Sequence, residues 1–187
     1  MGRKLKAEER IGIKFTSKEG CLFFVKEYIN NGDVTVKFMD EYGAEVRTTW
    51  QRCKNGGVKN PYFKSIYGVA CLGEGDFKTK VNGRPTREYN LWKDMLQRCY
   101  SNKYHEKHET YINVTVCDRW LVYANFLQDL PLIENYELWL NSEEMISLDK
   151  DLKQQGIENK VYSLQTVKFV TQSENVREVH ERRWSKQ

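Results

Sequence analysis

Short alternating stretches dominate the first third of the chain. Residues 34–39 alternate apolar and polar side chains without interruption, as a half-buried strand does. Asn30-Asn31-Gly32-Asp33 precedes this stretch and Glu41-Tyr42-Gly43 follows it, and both are turn signals. A further alternating stretch covers residues 44–50. Several strands at this spacing predict a small β-barrel of SH3-like size over residues 1–61, a kind of module that usually binds rather than catalyses.

The chain then changes from strand-like alternation to helical spacing. A Gly- and Asn-rich stretch over residues 54–61 predicts a domain boundary, and we interpret residues 62–89 as a connector. Apolar residues recur every three or four positions over residues 91–100 and again over residues 119–130. This spacing predicts two amphipathic helices.

The C-terminal part orders its elements as strand, loop, strand and helix. Residues 144–148 and 166–170 predict the strands, and a polar loop that contains Gly156 separates them. Thr171 followed by Glu174 is a capping-box pattern and predicts the start of a helix that continues to residue 183. Residues 90–187 are therefore predicted to form a second domain, and the fold class of the whole chain is α+β.

Charge adds a preference for a polyanionic partner. The chain has 187 residues and a formal net charge of +4, with 13 Lys and Arg against 8 Asp and Glu in residues 1–64. Basic and aromatic residues alternate near the boundary and the connector, as in surfaces that bind nucleic acid. An ordinary basic linker has the same composition. The candidate nucleic-acid contacts are Lys54, Lys59, Lys64, Lys78, Lys80, Arg84 and Arg87.

Several protein classes lack support in this sequence. No apolar run approaches the ~18 residues of a transmembrane helix, and the basic N-terminal segment lacks the apolar core of a secretory signal. The five cysteines are odd in number and form no CxxC pair, and with no export signal we expect reduced thiols. The missing apolar run predicts that the chain has no membrane partner. P-loop, GxGxxG, HExxH and GxSxG motifs are absent, which argues against the nucleotide-dependent motors, dehydrogenases, zincins and hydrolases that carry them.

A set of short motifs covers much of the second half of the chain. They are Trp92-x-x-Met95-Leu96-x-Arg98-Cys99-Tyr100, Thr115-Val116-Cys117-Asp118-Arg119-Trp120, Leu148-Asp149-Lys150-Asp151, Asn159-Lys160-x-Tyr162-Ser163, and Phe169-Val170-Thr171 with Asn175. Together they resemble the HNH-type (ββα-metal) proteins of bacteriophage genomes. The N-terminal part, with Glu9-Arg10-Ile11-Gly12 and Gly57-Val58-Lys59-Asn60-Pro61, resembles a module attached to such proteins.

The resemblance implies a metal-dependent DNA endonuclease in the cytoplasm of an infected bacterium. In that family a base ends the first strand, and acidic and helix residues hold a divalent cation, Mg²⁺ or another, beside a water that attacks the phosphodiester. The matching positions are Asp149, Lys150 and Asn159 for catalysis, and Asp149, Asp151 and Asn175 for the metal.

One position departs from the family pattern. An active member has Asp-His at the end of the first strand, whereas this chain has Asp149-Lys150 and no His in residues 109–179. A lysine is cationic near neutral pH and acts as a base only when strongly desolvated. We therefore expect a DNA-binding protein related to HNH endonucleases, in which metal-dependent nicking is either retained or lost.

Alternatives remain open at each of these positions. The carboxylates and amides can equally be turn and surface residues. Cys99, His105, His108 and Cys117 are zinc-type ligands, but their spacing is not that of a zinc knuckle, so structural Zn²⁺ is not expected. The alternative function is a phage accessory protein that inhibits a host protein, such as an anti-phage defence component. DNA binding should weaken steeply with salt, and a protein interface should respond less.

Overall fold

The chain forms two compact units of mixed α and β structure. The computed structural model describes residues 6–174. The first unit contains the described residues up to Ser65 together with Cys71–Glu74, and the second contains Ile66–Ala70 and the residues from Gly75 onward. The α+β fold class is therefore confirmed.

The first unit is built on one four-stranded antiparallel sheet whose strands pair in the order in which they occur along the chain. A short 3-10 helix, Glu8–Arg10, precedes the sheet, and helix α1 (Trp50–Lys54) follows it. The strands are β1 (Lys14–Thr16), β2 (Leu22–Asn30), β3 (Asp33–Phe38) and β4 (Glu45–Thr48).

One face of this sheet supplies the core of the first unit. Strand β3 buries Val34, Val36 and Phe38 and leaves the residues between them half-buried, so the predicted alternation is confirmed. Strand β2 adds Phe23 and Val25 to the same cluster. Each such side chain contributes about 1.5–3 kcal/mol by leaving water. The alternating positions of the sequence therefore decide which face of the sheet is buried.

Two details of the first unit differ from the sequence expectation. The alternating stretch over residues 44–50 ends as a strand at Thr48, because the Thr49 side chain accepts the Arg52 N–H and starts α1 at Trp50. Within residues 6–174, no strand pairing joins β1 to β4. The sheet pairing of the first unit is thus open rather than closed into a barrel.

The second unit contains the remaining helices. Helix α2 (Arg87–Tyr100) begins earlier than the apolar spacing predicted, because the Thr86 side chain accepts the Tyr89 N–H. The one helix predicted over residues 119–130 is divided at Val122, whose backbone is extended. The other elements are α3 (Asn102–His105), α4 (Tyr123–Asp129), α5 (Tyr136–Asn141), and 3-10 helices at Glu109–Tyr111, Asp118–Leu121 and Leu130–Leu132.

Three small two-stranded pairings complete the second unit. The strands are β5 (Lys80–Val81), β6 (Arg84–Pro85), β7 (Thr115–Val116), β8 (Ile146–Asp149), β9 (Val161–Tyr162) and β10 (Lys168–Thr171). Strands β5 and β6 form a hairpin, β7 pairs parallel with β9, and β8 pairs antiparallel with β10.

Aromatic side chains hold the second unit together. Trp92 of α2 is fully buried, and its indole N–H donates to the Trp120 carbonyl at 2.7 Å. The Trp92 ring lies 5.0 Å from the ring of Tyr123, the first residue of α4. These contacts fix α2 against α4 and support the elements that carry the predicted site.

The predicted capping box at the end of β10 is present. The Thr171 hydroxyl accepts the Glu174 N–H at 3.2 Å, and the Glu174 carboxylate accepts the Thr171 N–H at 2.9 Å. Residues 172–174 are helical. The remainder of the predicted helix and Asn175 lie outside the described residues.

Among residues 6–174, no helix has the length and apolar character needed to cross a bilayer.

Candidate functional site: a buried lysine beside Asp151

Asp149 is positioned by the β8–β10 pair. It is the last residue of β8, faces Lys168 across the ladder, and is only 7% exposed. Its Oδ1 atom accepts the backbone N–H groups of Asp151 and Leu152, both at 2.9 Å. This carboxylate therefore fixes the turn that follows β8, which is the structural role left open by the sequence.

Lys150, the residue that follows Asp149, is buried and paired. The residue is 4% exposed, and its Nζ atom donates to the two carboxylate oxygens of Asp151 at 2.9 and 3.0 Å. The Nζ atom of Lys160 contacts the same carboxylate. We call Lys150, Asp151 and Lys160 the Asp151 cluster. One carboxylate thus forms ion pairs with two ammonium groups.

Aromatic rings line the Asp151 cluster. The Lys150 Nζ atom lies 4.5 Å from the centroid of the Tyr111 ring and 5.9 Å from that of Tyr162. Ring faces attract cations, so these tyrosines add to the stabilisation of the ammonium group. Burial raises the pKa of the Tyr162 hydroxyl well above its ordinary value and also raises the pKa of Tyr111. Both side chains are therefore neutral near pH 7.

Burial and the two lysine charges shift the pKa of the Asp151 carboxyl in opposite directions. Burial by itself would raise the pKa of the Asp151 carboxyl, but the ammonium groups of Lys160 and Lys150 outweigh burial and hold this pKa below its ordinary value. Asp151 is therefore ionised near neutral pH and acts as the counter-ion of both lysines.

The carboxylate oxygens of the described residues do not form a binding site for a divalent cation. Both oxygens of Asp151 already accept from lysine, and Asp149 Oδ1 already accepts two backbone N–H groups. Within residues 6–174 no group of three His, Cys, Asp or Glu side chains converges. Asn159 is exposed in the loop before β9, and no described contact joins it to the Asp151 cluster. Mg²⁺ usually needs several oxygen ligands, and the described residues do not bring such a set together.

The four residues considered as zinc ligands lie in separate surroundings. His105 Nε2 lies 2.8 Å from the Arg98 carbonyl oxygen, at the distance of an N–H donor, and His108 stacks on Tyr104 with ring centroids 4.3 Å apart. Cys99 is buried, which raises the pKa of its thiol to about 12, and Cys117 is half-buried. The described structure therefore does not gather these residues into one coordination site.

The predicted nucleic-acid contacts are exposed but differ in their roles. Arg87 is committed to the fold, because its guanidinium lies 4.2 Å from the Trp139 ring centroid and donates to the carbonyls of Trp139 and Leu140. The other six are exposed, and none of them forms such a bond with a residue in the range 6–174. Lys54, Lys59 and Lys64 belong to the first unit, whereas Lys78, Lys80 and Arg84 lie in or beside the β5–β6 hairpin.

Two groups of contacts in the second unit were not predicted from the sequence. The contact of Lys160 with Asp151 is made within the loop between β8 and β9, which the Gln154 side chain ties to Lys150 and Val161. The approach of Tyr111 to Lys150 accompanies the parallel pairing of β7 with β9, which has no local sequence signal. A second ionic group also lies in this unit: Arg119 donates to both carboxylate oxygens of buried Asp129 at 2.8 and 3.0 Å, and Trp120 Nε1 donates to Asp129 at 2.9 Å. The arginine and the carboxylate are ten residues apart in sequence, so their pairing depends on the turn between them.

No protein-family model matches this chain, and no match was found among curated proteins or among solved structures.

Proposed function

We propose that this chain is a DNA-binding protein of the HNH-like type that does not hydrolyse DNA. The antiparallel pairing of β8 with β10 and the helical residues that follow β10 support the ββα part of the proposal, and the four-stranded sheet of the first unit supports an SH3-like module. The observation that carries DNA binding is the basic β5–β6 hairpin. The observation that argues against hydrolysis is the pairing of Lys150 with Asp151.

The β5–β6 hairpin presents positive charge on a defined backbone. Residues 77–87 contain four Lys and Arg and no Asp or Glu. Asn82 and Gly83 form its two-residue turn with φ of 50° and 76°, the positive values that such a turn requires. Lys78, Lys80 and Arg84 are exposed and form no ion pair within residues 6–174. Cations that lack an internal partner can neutralise DNA phosphates, and a two-stranded ribbon fits the major groove.

Hydrolysis requires a base that can accept a proton. In the proposed HNH-like arrangement the base position falls to Lys150, whose Nζ atom donates to Asp151 and lies over the Tyr111 ring. An ammonium group that is held by a carboxylate and a ring face has no lone pair to offer water. The geometry therefore favours a role for the Asp151 cluster in stability rather than in catalysis.

The test combines a binding assay with a nicking assay on the full chain. Fluorescence anisotropy with a labelled DNA duplex is measured over a range of salt concentrations, and supercoiled plasmid is incubated with Mg²⁺ or Mn²⁺. We expect binding that weakens steeply with salt and no nicking. Lys78→Gln with Lys80→Gln should weaken binding and lower the slope of log K against log salt by about 2, at ~0.9 per phosphate contact.

The matched control removes two exposed lysines elsewhere, Lys14 and Lys18, by the same change to Gln. It should change the slope of log K against log salt by less than about 0.9, the value for one phosphate contact. An equal loss in both double variants would contradict the assignment to the hairpin. Absence of salt-sensitive DNA binding would overturn the proposal and favour the alternative, inhibition of a host protein. Metal-dependent nicking that Asp149→Ala abolishes would overturn the non-hydrolytic part.

A further inference from the structure

A second basic and aromatic surface lies in a cleft beside helix α2. The cleft has a volume of about 270 Å³ and is lined by Gln97, Lys103, Tyr104, Lys107 and His108. Sites for whole drug-sized ligands begin at roughly 300 Å³, so this cleft suits a smaller group such as a single base with its phosphate. The nucleic-acid contacts expected from the sequence do not include any of these residues.

The fold holds the walls of this cleft in place. The Ser101 hydroxyl accepts the Tyr104 N–H at 3.3 Å and caps α3, while His105 is bonded to the Arg98 carbonyl of α2. Backbone turns continue past α3, with the His108 N–H donating to the His105 carbonyl at 3.1 Å. The segment is thus tied to α2 rather than attached at one end only.

The aromatic part of the cleft is a pair of stacked rings. His108 and Tyr104 lie 4.3 Å apart between centroids at an interplanar angle of 28°. Tyr111 braces Tyr104 from its edge, at 5.6 Å and 82°. His108 is exposed, so its ring extends the stack toward solvent. An unpaired base can stack on such a surface whatever its identity, because every base has a π face.

The charged part of the cleft is a pair of lysines. Lys103 and Lys107 are four residues apart, both are exposed, and neither forms an ion pair within the described part of the chain. Three acidic residues lie nearby, Glu106 and Glu109 along the chain and Asp94, whose charge acts on Tyr104, but none of them lines the cleft. Two unpaired cations beside a stacking surface match the chemistry of a nucleotide, which combines a flat base with a phosphate.

We infer that this cleft binds one unpaired nucleotide of a single-stranded nucleic acid. The base stacks on His108, and Lys103 and Lys107 contact the flanking phosphates. The inference rests on the proposed function, because it adds a single-strand contact to a protein that binds duplex DNA through the β5–β6 hairpin.

The experiment measures fluorescence anisotropy of a labelled oligothymidylate of about a dozen nucleotides, a length that spans a typical single-strand site. His108→Ala should weaken binding by about fivefold or more, the loss expected for one stacked base. His108→Phe keeps a flat ring and should retain most of the affinity. Lys103→Gln with Lys107→Gln should lower the salt slope by about 1.4, at ~0.7 per phosphate of a single strand.

The controls separate this inference from the proposed function. The Lys14→Gln, Lys18→Gln chain should bind the oligothymidylate like the unmodified chain, and thermal unfolding confirms that each variant is folded. A smaller loss for His108→Ala, or an equal loss for His108→Phe, overturns the inference. If duplex binding still depends on Lys78 and Lys80 in that case, the proposed function stands alone. If the unmodified chain binds neither probe, both proposals fail.

Discussion

Removal of the Asp151 charge tests the account of the buried lysine most directly. Asp151→Asn keeps the size of the side chain but leaves Lys150 and Lys160 without their shared carboxylate. The side chains of the two lysines are 5% and 16% exposed, so water can compensate little for the missing charge. We expect the variant to fold with a much lower free energy of unfolding.

The magnitude follows from the burial of the three groups. Loss of one partner from a fully buried ion pair costs about 3–5 kcal/mol. The Asp151 side chain is 22% exposed, and solvent screens part of its field, so we expect about 2–4 kcal/mol. Lys150→Met removes the ammonium but keeps an apolar chain over Tyr111, and Asp151 retains Lys160. This second change should cost less than about 1 kcal/mol.

Urea unfolding followed by tryptophan fluorescence measures both effects. The chain with both Lys150→Met and Asp151→Asn should be more stable than the sum of the single changes implies, by at least about 1 kcal/mol. The reasoning is refuted if Asp151→Asn costs less than about 1 kcal/mol, or if Lys150→Met costs as much as Asp151→Asn. A change in the slope with urea would mean that the variant alters the unfolding transition rather than only its free energy.

The pH dependence of this cluster gives an independent check. Because the folded-state pKa of Asp151 lies below the ordinary value of 3.8, the unfolded chain takes up a proton first as the pH falls. The stabilisation is fully present above the ordinary value and is lost as the pH falls through the lowered one. The difference in unfolding free energy between the unmodified chain and Asp151→Asn should therefore shrink only below about pH 4.

Three further predictions address other parts of the chain. Asp129→Ala leaves the buried Trp120 indole N–H without its acceptor and also removes both bonds from Arg119, so it should cost about 1–3 kcal/mol in urea unfolding, whereas a cost below about 0.5 kcal/mol would contradict the role of these bonds. Gly56→Ala should cost more than Gly83→Ala, because both have positive φ but only the added Cβ at Gly56 would meet backbone, 2.9 Å from a carbonyl oxygen; equal melting temperatures would contradict this. Thr171→Ala removes a helix cap and should cost about 1 kcal/mol by thermal unfolding, with Thr171→Ser close to unchanged.

Local patterns account for the elements that the sequence analysis identified correctly. Alternation over residues 34–38 predicts a half-buried strand because side chains of a strand point to opposite faces in turn. The capping box at Thr171 is likewise local, since it joins groups only three residues apart. The strand before Trp50 is shorter than its alternation predicts, because the cap by Thr49 competes with alternation over the same residues.

The sequence by itself determined the mixed fold class, the main strands and the exposed basic segments. It also showed that a lysine, Lys150, directly follows Asp149. Only the tertiary structure decided what that lysine does. Lys160 reaches the Asp151 carboxylate across the loop between β8 and β9, and the pairing of β7 with β9 accompanies the approach of Tyr111 to the Lys150 Nζ atom. Side-chain spacing in a sequence reports local periodicity, whereas burial and ion pairing depend on which distant segments the fold places in contact.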